Sequence, residues 1–249
     1  MIYTVQKTMK ILRVMARAKN RPVTLSEIVE STGINKSTCS HIISTLLYDG
    51  YVIRVSHKLG YIIGPAFYAL TKHISYDSKL TSVCHEVIKW INKQFPCTAV
   101  LAVIENAQKY IVDYIDSEQH PFVPPIELFN DDIFQTATGR ILASNLRRYE
   151  FDKVIERHGL PKYIEKIEIK NSDQLYKNLG SIRKEKIVKV CSVRNNIYVH
   201  NYAFGIYRDA RCIASIGVTV YTENDFISDE KMIYKTLATA SDKICHRMR

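Results

Sequence analysis

GINKSTCSHIISTLLYDGY, residues 33–51, decides how the first third of the chain folds. At about 100° per residue, Cys39, Ile42, Ile43, Leu46 and Leu47 recur at i, i+3, i+4, i+7 and i+8, the core stripe of an amphipathic helix. The opposite face carries Ser37, Ser40, His41 and Ser44. Asn35 is placed to cap this helix, and Asp49-Gly50 supplies the residue types that end one. Short donor and acceptor side chains predict a face that must come close to a partner, since a face that meets only water favours Glu and Lys.

Upstream, Val5 to Ala18 reads as a first helix, broken by KNRPV at 19–23. Thr24-Leu25-Ser26-Glu27 is a capping box, in which the Thr24 hydroxyl and the Glu27 carboxylate each satisfy the other residue's N–H. It opens a short second helix that stops at Gly33, where a left-handed residue is favoured. Helix, short helix, tight turn and helix with a polar face is the helix-turn-helix order. Downstream the period changes to two β-rich runs around SHKLG, a wing, and 66–75 reads as a helical connector with Phe67, Leu70 and Ile74 on one side.

A recognition helix needs a close-fitting N-terminal half rich in hydrogen-bonding groups. Lys36, Ser37 and Thr38 fall in its first turn, where orphan N–H groups favour phosphate, and Ser40, His41 and Ser44 fall where base edges would lie. Thr24, with Arg54, His57 and Lys58 on the wing, completes the expected DNA-contacting set. The charge agrees in sign: through residue 75 Lys and Arg exceed Asp and Glu by +7, against +3 for the rest of the chain. A merely solvated basic face would have the same balance.

The second unit starts near Asp77, giving domains at 1–75 and 77–249. Leu80, Val83, Cys84, Val87, Ile88 and Ile91 share one helical face up to Pro96. β-rich runs at 97–104 and 109–116 flank ENAQ, residues 117–133 read as a Pro-rich acidic loop, and TATGRILASNL (136–146) opens a helix. Further helical text at 149–158 and 173–185 precedes β-rich runs at 187–193, 196–207 and 211–221 and a last helix from about Ser228. Short turns between neighbouring strands predict an antiparallel sheet with helices packed on it, an α+β class.

No run of about 18 apolar residues is present, which argues against a membrane span or signal peptide and makes a cytoplasmic address the default expectation. The six cysteines contain no C-x-x-C pair, so buried thiols are expected and neither a metal site nor a cofactor is indicated. G-x-S-x-G, the P-loop, G-x-G-x-x-G and H-E-x-x-H are missing, and a Cys191–His200 pairing has no support in its spacing; an enzyme is not expected.

On these residues the chain resembles the IclR family of bacterial transcriptional regulators. The recognition region resembles the family's G-x-x-K-S-T-x-x-R-x-L-x-T-L at Lys36, Ser37, Thr38, Thr45 and Leu46, and the second unit its T-A-x-G-K-x-x-L-A at Thr136, Ala137, Gly139, Leu142 and Ala143. His41 stands where the family usually has Arg, and Arg140 where it usually has Lys. The resemblance implies a winged helix-turn-helix joined by a helix to a GAF-like antiparallel-sheet effector domain. It further implies a homodimer or tetramer on a palindromic operator in double-stranded DNA, usually as a repressor. A small organic effector, a carboxylate or an aromatic, would bind near Thr136, Ala137, Thr138 and Gly139. Tyr198, His200 and Tyr202 alternate onto one strand face, as do Ser215, Gly217 and Thr219, and these sets are the candidate pocket walls. Core filling is the other reading of the same Tyr and His residues, and a winged-helix module that binds no small molecule is the other reading of the chain.

Overall fold

A computed structural model describes residues 2–18, 21–72, 74, 76–116, 133–185, 187–194, 196–223, 225–227 and 229–248. Contacts divide the chain into two units, Met1–Ser75 and Tyr76–Arg249.

The first unit runs α1 (Tyr3–Arg17), α2 (Leu25–Thr32), α3 (Lys36–Tyr48), β1 (Val52–Ser56), β2 (Gly60–Ile63) and α4 (Pro65–Thr71). The capping box forms: Thr24 N–H donates to Glu27 Oε2 at 2.7 Å and Glu27 N–H to Thr24 Oγ1 at 3.2 Å. Gly33 turns the chain at φ 67 between α2 and α3, and Asn35 Oδ1 then accepts the Thr38 N–H at 2.8 Å. Ile11, Met15, Ile28, Cys39, Ile43 and Val52 close one core beneath the three helices and the hairpin. The connector differs from the expectation of a helix through 75. With no buried residue of its own α4 gains little tertiary support, and it ends after seven residues. Phe67 packs edge-on against Tyr51 at 4.9 Å, while Leu70 and Ile74 are exposed.

The second unit runs α5 (Ser78–Gln94), β3 (Thr98–Glu105), β4 (Gln108–Ile115), α6 (Ala137–Ser144), α7 (Arg148–His158), β5 (Tyr163–Ile164), β6 (Ile167–Glu168), α8 (Ser172–Glu185), β7 (Ile187–Arg194), β8 (Ile197–Arg208), β9 (Arg211–Thr222) and α9 (Glu230–Met248). Its main sheet has the order β4-β3-β9-β8-β7, antiparallel throughout. Leu80, Cys84, Ile88 and Ile91 of α5 and Ile233, Leu237 and Ala240 of α9 bury one face of that sheet. On the other face Ala137 and Ile141 of α6 pack with Val188, Val190 and Ala203, and a separate cluster around Phe151 joins α7, α8 and the β5–β6 hairpin. This is the α+β architecture expected, a winged helix-turn-helix followed by a helix-covered antiparallel sheet. The turns of β3–β4 and β8–β9 shrink to Asn106-Ala107 and Asp209-Ala210, each pair at φ 49 and 60, the doubly left-handed geometry that matches strand twist. The β5–β6 hairpin was not foreseen. The expected loop at 117–133 lies, but for Ile133, outside the described residues, as does Ser228.

Candidate DNA-binding face and effector cleft

In the first unit α3 buries Cys39, Ile42, Ile43 and Leu46 and leaves Lys36, Ser37, Ser40, His41 and Ser44 exposed on its other side. Thr38 is half-buried, and its N–H is already held by the Asn35 cap. His57 and Lys58 are exposed at the turn of the wing. Two expected contacts are otherwise engaged. Thr24 spends its hydroxyl and N–H on Glu27, and Arg54 donates to the Tyr61 hydroxyl at 3.2 Å with its guanidinium over that ring. The Thr24 backbone, with help from Arg21, holds the Glu27 carboxyl down at about 2. Glu27 thereby completes the cap at the start of α2.

In the second unit a cleft of about 370 Å³ lies between the α6 side of the sheet and the segment entering α6. Thr98 and Val100 of β3, Lys109 and Ile111 of β4, Val199 and Asn201 of β8, and Gly217 and Thr219 of β9 line it, with Thr136, Ala137, Thr138 and Arg140 at its helical side. Thr219 Oγ1 donates to Asn201 Oδ1 at 2.8 Å, and Thr98 Oγ1 to Asp116 Oδ1 at 2.8 Å. Two buried cations face this space. Lys109 Nζ donates to Thr136 Oγ1 at 2.7 Å, and Arg140 donates to the Phe134 carbonyl at 2.7 Å and to Glu165 at 2.5 Å. The sequence marked Arg140 only as a departure from the family's usual Lys, and Lys109 only as part of the β-rich run 109–116.

Of the residues expected to hold the effector, the structure brings Thr136, Ala137, Thr138, Gly217 and Thr219 together. Gly139 is displaced from that role. Its N–H donates to Thr136 Oγ1 at 3.2 Å, and a Cβ there would lie 1.9 Å from the Ile133 carbonyl, so it allows close backbone packing instead of opening onto the cleft.

The aromatic wall is a correction. β8 pairs with β9 so that Asn201 faces Thr219 and Ala203 faces Gly217, while Tyr202 is in phase with Val218 and His200 with Val220. Side chains alternate along a strand, so Tyr198, His200 and Tyr202 project to the α5–α9 side and the cleft receives Val199 and Asn201. Tyr202 borders the cleft, but its ring lies in the core. Its hydroxyl donates to Glu230 at 2.6 Å, and Glu230 also pairs with Lys189 at 2.5 Å. Lys189 first, then Tyr202, hold the Glu230 carboxyl below its usual range. Tyr198 stacks on His200 at 6.5 Å.

The same register sets Cys191 opposite His200, Sγ to Nδ1 at 3.4 Å, with His200 Nε2 at 3.0 Å from the Thr222 hydroxyl. Burial pushes the Cys191 thiol up despite the nearby Lys189 ammonium, which is the wrong direction for a nucleophile. Cys84, Cys97 and Cys212 are pushed up to about 12, chiefly by burial. Among the described residues no helix is long and apolar enough to cross a membrane, and no group of three or more His, Cys, Asp or Glu side chains is placed to hold a metal ion.

Residues 4–56 match the family model of the IclR helix-turn-helix domain. No match to the chain was found among curated proteins. Solved structures share the fold over the full length. An IclR homolog from Microbacterium hydrocarbonoxydans, complexed with 4-hydroxybenzoate, superposes with a TM-score of 0.73 at 13% identity over 99% of both chains. An IclR transcriptional regulator from Alicyclobacillus acidocaldarius gives 0.73 at 18% over 99% of both, and the IclR of Thermotoga maritima 0.62 at 18% over 98% of both.

Proposed function

We propose that this chain, whose residues 4–56 match the IclR helix-turn-helix domain, is a transcriptional regulator of that family, a sequence-specific repressor whose grip on DNA responds to a small organic acid held by the second unit. The observation that carries the reading is α3, a helix packed on one side and lined on the other by Ser37, Ser40, His41 and Ser44. Lys36, Ser37 and Thr38 position the helix on phosphates and Ser40, His41 and Ser44 read base edges, with His57 and Lys58 adding wing contacts. Two copies read a palindrome, and the second units pair dimers into a tetramer.

The effector half rests on the cleft. The buried Arg140 guanidinium at the cleft already takes a carboxylate, that of Glu165, and a volume of about 370 Å³ suits a molecule the size of the 4-hydroxybenzoate carried by the Microbacterium homolog. An effector works by preferring one arrangement of the DNA-binding pair, so its affinity must differ between DNA-bound and free protein.

Selection of bound duplexes from a random pool by the full-length protein, repeated across a salt series, tests the first half. An enriched palindrome whose affinity falls with salt is expected, and salt-sensitive binding with no preferred sequence would refute base readout by α3. Retitrating that operator with small carboxylates tests the second half. An operator affinity that no acid changes would leave a winged-helix module that binds no small molecule.

A further inference from the structure

The Arg140 ion pair is lopsided. Its guanidinium side chain is 4% exposed, whereas that of its partner Glu165 is 59% exposed. Glu165 belongs to the turn between β5 and β6, outside the main sheet, and holds a left-handed backbone at φ 55 that a glutamate adopts only under constraint. The arginine is fixed: Nε donates to the Phe134 carbonyl at 2.7 Å, and α6 is buried along its whole length. The hairpin is fixed too, through Ile164 in the Phe151 cluster and through Gln135, whose amide donates to the Tyr163 carbonyl at 2.6 Å. The exposed member of the pair is the glutamate side chain between them. Both Arg140 and Glu165 line the cleft, and among the described residues Glu165 is the carboxylate within ion-pair reach of Arg140.

A buried guanidinium requires an anion, and this one receives it from a side chain with most of its surface already in water. We propose that Glu165 is a built-in carboxylate occupying the anion position of the cleft, which an anionic effector must displace to reach Arg140. The proposal rests on the effector reading given above. A tethered group competes at an effective concentration on the order of millimolar, and an outside ligand's apparent affinity falls in proportion to the time Arg140 is covered. Glu165 therefore sets specificity. A carboxylate that can take the guanidinium in two-point contact gains an anchor when it displaces Glu165, whereas a neutral analogue of the same shape cannot replace the lost ion pair.

The test titrates benzoate, and benzamide as its neutral isostere, into full-length wild-type protein, Glu165→Gln and Glu165→Asn, by calorimetry. The Asn variant tolerates the left-handed turn and guards against a folding defect. Benzoate affinity is expected to rise about tenfold in both variants, as removal of a tethered competitor requires, while benzamide, which cannot replace the ion pair and so binds with Glu165 still on Arg140, changes by less than about twofold. In the wild type, benzoate should also shift the backbone amide resonances of Glu165 and Lys166. Equal or weaker benzoate binding in the variants would overturn the role of Glu165 and leave the effector site standing. An equal gain for benzamide would overturn it as well, by showing that the glutamate blocks space and not charge. Failure of both probes to bind any of the three proteins would remove the carboxylate site itself, and this proposal with it.

Discussion

Two helices in this molecule begin alike and end in opposite surroundings. α3 is opened by Asn35, whose side chain accepts the Thr38 N–H, and α6 by Thr136, whose side chain accepts the Gly139 N–H. Both then run through short polar and small residues. Yet α3 buries four of its residues, half-buries Thr38 and Leu47 and shows the rest to solvent, while all eight residues of α6 are buried. Capping chemistry specifies where a helix starts and says nothing about how many sides will be covered. Function follows the part left open, which is a whole face on α3 and only the entering end on α6.

That contrast is broken most strongly by adding a Cβ. Gly139→Val would place side-chain atoms on the Ile133 carbonyl and is expected to cost the second unit about 4 kcal/mol or more, read as loss of its unfolding transition. Gly33→Ala, at φ 67 with nothing within 4 Å, should cost only about 1 kcal/mol by chemical denaturation. The caps should differ in the same sense. Thr136→Ala loses both the Gly139 cap and the Lys109 contact, and about 2–3 kcal/mol is expected, against about 1 kcal/mol for Asn35→Ala. Equal losses would mean that burial adds nothing to a cap.

On the open face the sign of interest reverses, from stability to recognition. His41→Ala should leave the melting temperature nearly unchanged and weaken binding to the selected operator by about 1–3 kcal/mol, with relaxed preference at one base position. Uniform weakening on all sequences would assign His41 to the backbone. The smallest effect concerns Glu27, whose carboxyl is held down at about 2. A depressed carboxylate stabilises the fold fully above its unfolded value of about 4.3, and that contribution fades as pH falls toward 2. The stability gap between wild type and Glu27→Gln should accordingly be present at pH 6 and close in acid.

Much of this was readable in advance where the signal was local. The capping box at Thr24–Glu27, the Gly33 turn and the α3 stripe depend on residues within one or two turns of each other, and each formed as read. The cleft depends on pairing between distant strands. Alternation separates Tyr198, His200 and Tyr202 from Val199 and Asn201, but only the β8–β9 register says which set meets Gly217 and Thr219. The burial of Lys109 and of Arg140, the latter marked only as a departure from the family's Lys, was hidden for a related reason: a charged side chain looks solvent-bound until the surrounding helix and turn are in place. The β5–β6 strands, two residues each, are too short to show any period.

The two-residue turn at Asp209-Ala210 has a consequence for how this domain can change over evolutionary time. It closes the β8–β9 pairing beside a bulge at Ile206–Tyr207, and a one-residue slip carried past that bulge would turn every β8 side chain from Tyr198 to Ile206 to the opposite layer. Tyr202, Phe204 and Ile206 would leave the core together, and the domain would be lost before any new ligand was gained. Length variation in this turn is therefore tolerated only where the bulge absorbs it and the pairing from Tyr198 to Ile206 is kept. On that kept frame, new effectors are accommodated by point replacement at wall positions such as Val199, Asn201 and Thr219.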